Sequence, residues 1–318
     1  MRRRGLALLA LIGWAGLAHA QQNRPPLQNV DNAEIHVLPV QGNVSMLVGA
    51  GSNITLQVGK DGVLVVDTAS ATLAPKIMIA IRTLSAEPIR WMVNTHVDAD
   101  HTGGNEALAK LGATPASLGA PRIVAHENVL NRMTARPTGN EPPIPVAGWP
   151  NDEYPGARKD FFFNGEAVVV FHMPAAHTDG DSVVFFRRSD VLSTGDIFTP
   201  GRYPVIDLQR GGSVQGLIDA LNAILRLTVP AKYQEGGTYV VPGHGRLCDE
   251  ADVVEYREMV TVVRDRVQDL INQRMTLQQV KAAKPTRDYD GAYGAERDLQ
   301  TADLFVEAVY KSLSEKKK

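Results

Sequence analysis

The stretch NTHVDADHTGGN, residues 94–105, places two histidines and two aspartates within six positions: His96, Asp98, Asp100 and His101. It follows IRWMVNT (89–95), whose apolar and β-branched residues predict a strand, and it leads into NEALAKLG (105–112), which predicts a helix. In an extended loop, side chains two residues apart face the same way. His96, Asp98 and Asp100 would then point to one side, and His101 could turn to a different centre. Thr102-Gly103-Gly104 would let the backbone bend sharply toward the helix. One short loop could thus feed two metal ions. Read alone, the same run also fits turn residues that cap the following helix.

Working outward, the chain alternates short strands with helices. EIHVLPV, VSMLVG, NITLQVG and GVLVVD (34–67) read as strands separated by turns at Gly42-Asn43, Gly51-Ser52 and Asp61-Gly62. A helical pattern covers 73–84, and RIVAH (122–126) is another short strand. AVVVFHM, SVVFFRR, DVLSTGD and TYVVPGH add strands between 167 and 244. Residues 213–229 have helical spacing behind Ser213, a good N-cap. A long amphipathic stretch runs over 249–284 and a last helix over 300–313. The pattern predicts an α/β protein with two sheets and outer helices. His177, Asp196 and His244 all fall just past predicted strands, where α/β folds gather ligands. Several strand ends delivering His or Asp is the pattern of a metal centre.

In this respect the chain resembles the metallo-β-lactamase superfamily, whose motif is His-x-His-x-Asp-His followed by a distant His, a bridging Asp and a last His. His96, Asp100 and His101 match the first motif. His177 in AAHTDGDS, Asp196 in STGDIF and His244 in VPGHG match the rest, and the resemblance covers roughly residues 33–250. It implies an αββα four-layer sandwich of two mixed sheets flanked by helices. It also implies one ion held by His96, Asp98 and His177, a second held by Asp100, His101 and His244, and Asp196 bridging them. Asp67, at the end of GVLVVD, matches the aspartate that braces the metal loop. The implied chemistry is hydrolysis of an amide, lactone or ester bond, β-lactams included, by a metal-bound hydroxide, with Asp100 orienting it.

Asp98 departs from the motif, which has histidine there. A carboxylate at this place has precedent in the iron-binding flavodiiron branch. The exchange adds a negative charge and hardens the site, which shifts preference from zinc toward iron or manganese; zinc is expected first, with iron or manganese as alternatives because of Asp98, in one or two sites. Aspartate is shorter than histidine, so zinc affinity at this site should be lower than with three histidines, and Asp98→His should raise it. Two other functions stay open: an iron-dependent redox enzyme acting on oxygen or sulfur species, and a metal-binding protein too altered to turn over.

The remaining sequence sets the context. Met1–Ala20 has a basic start, an apolar stretch and a small-x-small end, the pattern of a secretory signal. A secreted or periplasmic protein of residues 21–318 is expected, one domain with a C-terminal helical extension and no membrane insertion after cleavage. Removing three arginines takes the formal charge from -2 to -5, with no basic block beyond Lys316–Lys318. Nucleic acid is therefore excluded as a partner, and a small-molecule substrate is expected. Oligomeric state is not legible. Cys248 is the sole cysteine, so no internal disulfide can form, and it reads as a small core residue. Prolines at 137, 142, 143, 145, 150 and 155 predict a loop that overhangs the site with Trp149. TPGRYPVID, after Asp196, should form another wall and bring Arg202 or Tyr203 to the substrate. His36, His126 and His172 read as packing, surface or rim residues, and Asp179 and Asp181 as partners of the turn after His177.

Overall fold

The structure is a computed structural model that describes residues 33–135, 144–233, 236–294 and 301–314. The expected signal over Met1–Ala20, Pro137, Pro142, Pro143 and the terminal lysines lie outside these residues. Among the described residues no helix is long and apolar enough to cross a membrane.

Six strands make the first sheet in chain order: β1 (His36–Gln41), β2 (Val44–Val48), β3 (Ile54–Gly59), β4 (Gly62–Val66), β5 (Ile89–Val93) and β6 (Arg122–Val124). The first four are antiparallel neighbours, while β4, β5 and β6 run parallel. Parallel pairing demands crossovers, and helices supply them. Helix α1 (Ala74–Leu84) joins β4 to β5, and α2 (Ala99–Thr102) and α3 (Asn105–Leu111) join β5 to β6. Helix α4 (Glu127–Thr134) follows β6. The second sheet holds β7 (Arg158–Phe163), β8 (Glu166–His172), β9 (Ser182–Phe186), β10 (Val191–Ser193) and β11 (Tyr239–Val241), in the order β11-β10-β9-β8-β7. Helix α5 (Val214–Leu227) makes the crossover between the parallel pair β10 and β11. Helices α6 (Glu250–Asn272), α7 (Leu277–Ala282), α8 (Asp290–Tyr293) and α9 (Ala302–Ser314) complete the chain.

The layers follow from two-residue periodicity. In β4, Val63 and Val65 pack outward under α1 while Leu64 and Val66 face the second sheet. In β9, Val184 and Phe186 face inward while Val183 and Phe185 pack under the helices of the other side. Strands buried on both faces need continuous apolar sequence, which is what GVLVV and SVVFF provide. The result is helix, sheet, sheet, helix. The C-terminal helices share the outer core of the second sheet with α5, through Tyr256, Met259, Val263, Phe305 and Val309.

Between the sheets, polar pairs fix the docking: Thr55 Oγ1 donates to Ser193 Oγ at 3.1 Å and Gln57 Nε2 to Glu166 Oε1 at 2.7 Å. Cys248 is buried, bridged to Val240 of β11 by two backbone hydrogen bonds of 2.8 and 3.0 Å. Ser213 caps α5, accepting from Gly216 N at 2.9 Å.

Several expectations are corrected. The metal loop is not extended beyond Asp98, because residues 99–102 turn into α2. Gly103 and Gly104 keep ordinary negative φ angles, so conformational freedom is not their purpose. Gly104 is needed for close approach: a Cβ there would stand 2.1 Å from the Thr68 carbonyl oxygen. The 249–284 stretch breaks after Asn272, with Arg274 at a positive φ of 63°, and restarts as α7. Strand β7 and helix α4 were not foreseen.

Candidate metal centre

The site is built where strands of both sheets end. Strand β5 delivers Asn94 to His96 and then α2. Beyond β8, Met173–Ala176 lead to His177. Strand β10 runs into a 3-10 turn carrying Asp196 (Gly195–Ile197), and β11 runs into Pro242, Gly243 and His244. Asp67, just past β4, has a positive φ of 62°, a costly conformation for a residue with a Cβ. That turn lets its carboxylate accept from Thr95 N and Thr95 Oγ1, each at 2.8 Å, and from His101 Nδ1 at 2.7 Å.

Each of the four imidazoles is tied back by Nδ1 and presents Nε2 to a common centre. His101 Nδ1 donates to Asp67, His177 Nδ1 to the Val205 carbonyl at 2.9 Å, and His244 Nδ1 to the Gly51 carbonyl at 3.0 Å. His96 Nδ1 lies 3.0 Å from Thr95 Oγ1. The single hydroxyl proton of Thr95 goes to Asp67, so Thr95 must accept from His96. This tautomer leaves an Nε2 lone pair on every neutral ring, which is how metal-binding histidines are held.

The carboxylates fill the space between. Asp196 Oδ1 is 3.3 Å from His101 Nε2 and 3.4 Å from His244 Nε2, while its Oδ2 is 3.9 Å from His96 Nε2. Asp100 Oδ2 is 3.3 Å from His244 Nε2 and 3.9 Å from His101 Nε2. Asp98 Oδ2 is 3.4 Å from His177 Nε2 and 3.8 Å from His96 Nε2, while its Oδ1 is paired with Arg210. Two groups could each hold an ion: His96, His177 and Asp196, and Asp100, His101 and His244, the ligand atoms within each lying within 4.8 Å of one another. Asp98 stands beside the first.

The chemistry of the cage fits cations. His96 Nε2, His101 Nε2 and Asp196 Oδ1 are fully buried and make no hydrogen bond. Buried polar atoms are otherwise nearly always satisfied, and these three belong to residues of the two candidate ligand groups. Burial lowers His177, but the hydrogen bond and charge of Asp98 outweigh it and raise it to about 10. Burial likewise opposes His244, which Asp196 and Asp100 raise to about 9. His96 is pushed down to about 4 by burial and by the charge of His101. Asp98 is raised by burial, yet His177, His96 and Arg210 together hold it well below the usual carboxylate range.

The expected walls are met only in part. Trp149 packs against the buried cluster of Ala125, Val129 and Met133, as does Val97 of the metal loop, and its indole Nε1 donates to Ile144 O at 3.0 Å. Tyr203 is corrected: it is fully buried, its hydroxyl donates to Asp290 Oδ1 at 2.8 Å and its ring stacks on Phe305 at 5.1 Å. It belongs to the core under the C-terminal helices. Arg202, beside it in the chain, is half-buried. His126 stacks on His172 at 3.5 Å and caps α4, and Asp181 accepts from Thr178 N and Oγ1. Asp179 is turned instead to Arg132. Sequence reasoning missed Arg210, and it missed the loop of Gly51, Ser52 and Asn53. Ser52 Oγ donates to Asp100 O, and Asn53 Nδ2 donates to the carbonyls of Pro242 and Gly245. The Gly51-Ser52 turn was visible, but contacts made to carbonyls some 190 residues away leave no pattern in the sequence.

A four-layer sandwich with this cage at one end defines the class, an α/β fold with a candidate metal centre where its two sheets meet. The sequence model of the metallo-beta-lactamase superfamily matches residues 47–244. The chain belongs to that superfamily. Its fold is similar to the stereoselective inverting sec-alkylsulfatase Pisa1 from Pseudomonas sp., at 16% identity and a TM-score of 0.61 over 88% of this chain and 50% of that one. The chain thus spans about half the length of that relative. It is also similar to a metallo-beta-lactamase from Pontibacter korlensis (17% identity, TM-score 0.55, 72% of this chain and 99% of that one). The DIM-1 metallo-beta-lactamase gives 18% identity and a TM-score of 0.54, over 72% and 97% of the two chains. No curated protein matches at the sequence level.

Proposed function

We propose that this chain is an exported, metal-dependent hydrolase that cleaves an amide, lactone or ester bond and holds two divalent ions, zinc first. One observation carries the reading: four imidazoles anchored through Nδ1 aim Nε2 at a common centre that also receives three carboxylates. His96, Asp98 and His177 would hold one ion, Asp100, His101 and His244 the other, and Asp196 both. Bound divalent ions would supply Lewis acidity toward the substrate oxygen and a water activated near neutral pH. The chain's own residues do the rest. The Asp100 side chain, 49% exposed, stands at the mouth of the cage, where it can orient the attacking water and take its proton. The buried face of the cage keeps other water from the ligands. The leader-like Met1–Ala20 supports export. The alkylsulfatase and β-lactamase likenesses keep sulfate esters and β-lactams within the substrate set.

The purified protein should carry about two divalent ions per chain by elemental analysis. It should hydrolyse at least one member of a panel of chromogenic cephalosporin, lactone, aryl ester and alkyl sulfate. Chelation should abolish that turnover and zinc should restore it. A chain that binds no divalent ion, or turnover indifferent to chelation and to His101→Ala, would refute the reading.

A further inference from the structure

Arg210 ends a 3-10 turn (Leu208–Arg210) capped by Asp207, whose Oδ1 accepts from Arg210 N at 3.0 Å, and the chain then turns at Gly211 with φ 82°. This turn is fastened to the His177 loop. Asp207 N donates to His177 O and Asp179 N to Arg210 O, both at 2.9 Å. Gly212 passes so close that a Cβ would stand 2.2 Å from His177 O. Two residues before Asp207, the Val205 carbonyl accepts from His177 Nδ1. The segment that fixes His177 therefore also lays a guanidinium across Asp98. Arg210 Nη1 donates to Asp98 Oδ1, and Arg210 Nε lies 3.5 Å from Asp207 Oδ2. Asp98 keeps its other oxygen for the cage.

We infer that Asp98 and Arg210 act as one unit in the place where the superfamily motif has histidine: Arg210 is a positioning residue that orients Asp98 toward the first ion and cancels its charge. The inference rests on the metal-centre reading above. An isolated aspartate would add a third carboxylate to a cage that already holds Asp100 and Asp196. A guanidinium stays charged at any working pH and binds a carboxylate directionally. The pair is formally neutral, like an imidazole, so the added negative charge is offset, while the donor atom stays a hard oxygen and Asp207 shares the guanidinium at its Nε edge. A sharper consequence follows. Removing one partner of a partly buried ion pair leaves the other uncompensated, which costs more than removing both. Asp98→His alone would leave the Arg210 cation facing a dication. It should not recover a three-histidine site.

Four forms of the full chain test this by zinc titration against a chromophoric chelator: wild type, D98H, R210Q and D98H/R210Q. The D98H substitution should leave zinc affinity unchanged or lower when Arg210 is present, and raise it in the R210Q background. The two effects should differ by about tenfold or more. R210K, which keeps the charge, should stay within a few-fold of wild type, and melting curves identify any variant that fails to fold. If D98H raises affinity equally in both backgrounds, or R210K behaves as R210Q does, the unit does not exist. Zinc binding by none of the forms, wild type included, overturns the metal centre itself. The R210K arm decides the inference even if D98H fails to fold.

Discussion

Replacing Asp67 by asparagine keeps a hydrogen-bonding side chain but deletes the charge that faces His101 Nδ1 at 2.7 Å. Asp67 also receives two bonds from Thr95, and Thr95 in turn accepts from His96. One carboxylate thereby sets the tautomer of two imidazoles, one of them through an intermediary. Supports of this kind are worth about 10- to 100-fold in metal affinity. Asp67→Asn should lower zinc affinity by that order, read by chelator competition. Unchanged affinity would reduce Asp67 to a brace for the backbone. Residue type and position announced Asp67 and the cage residues, because each lies just past a strand. Arg210 gave no such sign, since it reaches Asp98 across 112 residues from a turn with its own local logic. Tyr203 misled for a related reason: an aromatic beside an arginine reads alike whether it lines a pocket or fills a core.

At the level of elements, the join between the metal loop and α3 depends on close backbone approach. Gly104 N donates to Ala69 O at 2.8 Å, and a side chain at this position would collide with Thr68 O. Gly104→Ala should therefore destabilise the fold by about 1–3 kcal/mol, seen as a lower denaturant midpoint. A midpoint equal to wild type would mean that the loop shifts freely. Strands β2 to β4 were legible almost to the residue because they are runs of mostly apolar and β-branched residues separated by turns, even though β3 turns Thr55 and Gln57 toward the second sheet. Strand β7 was not, although Asn164-Gly165, both at positive φ, is a strong hairpin signal at its end. Its charged residues Arg158 and Asp160 are exposed, and they blurred the apolar pattern. Helix α2 has only four residues, too few for periodicity, and forms where Asp98 O accepts from His101 N and Thr102 N.

On the scale of the whole molecule, the cage takes ligands from the ends of strands in both sheets, so it exists only when the sheets are docked. Ions bound there at a thousand times their dissociation constant stabilise the folded state by about 4 kcal/mol. Stripping them should lower the melting temperature by roughly 10 °C. An unchanged melting temperature would show that the cage holds no tightly bound ion. The stripped protein should also respond to alkali. His177 at about 10 and His244 at about 9 are raised above the ordinary imidazole value. A raised group contributes fully below about pH 6.5, and that contribution is lost as pH climbs through the folded value. The denaturant midpoint of stripped protein should therefore fall from about pH 6.5 to about pH 10. Loaded protein, whose imidazoles bind as neutral ligands, should stay level over the same range. Equal slopes would remove the coupling between protons and metal. Cys248 lies four residues beyond His244, 3% exposed, its Sγ donating to Arg246 O at 3.3 Å and its thiol pushed by burial up to about 12. A thiolate is the reactive species, so a sulfhydryl dye should label only those molecules in which the β11 edge has come away. The lone cysteine is thus a native stopwatch beside the cage: its labelling half-time, with and without zinc, measures how often that edge opens.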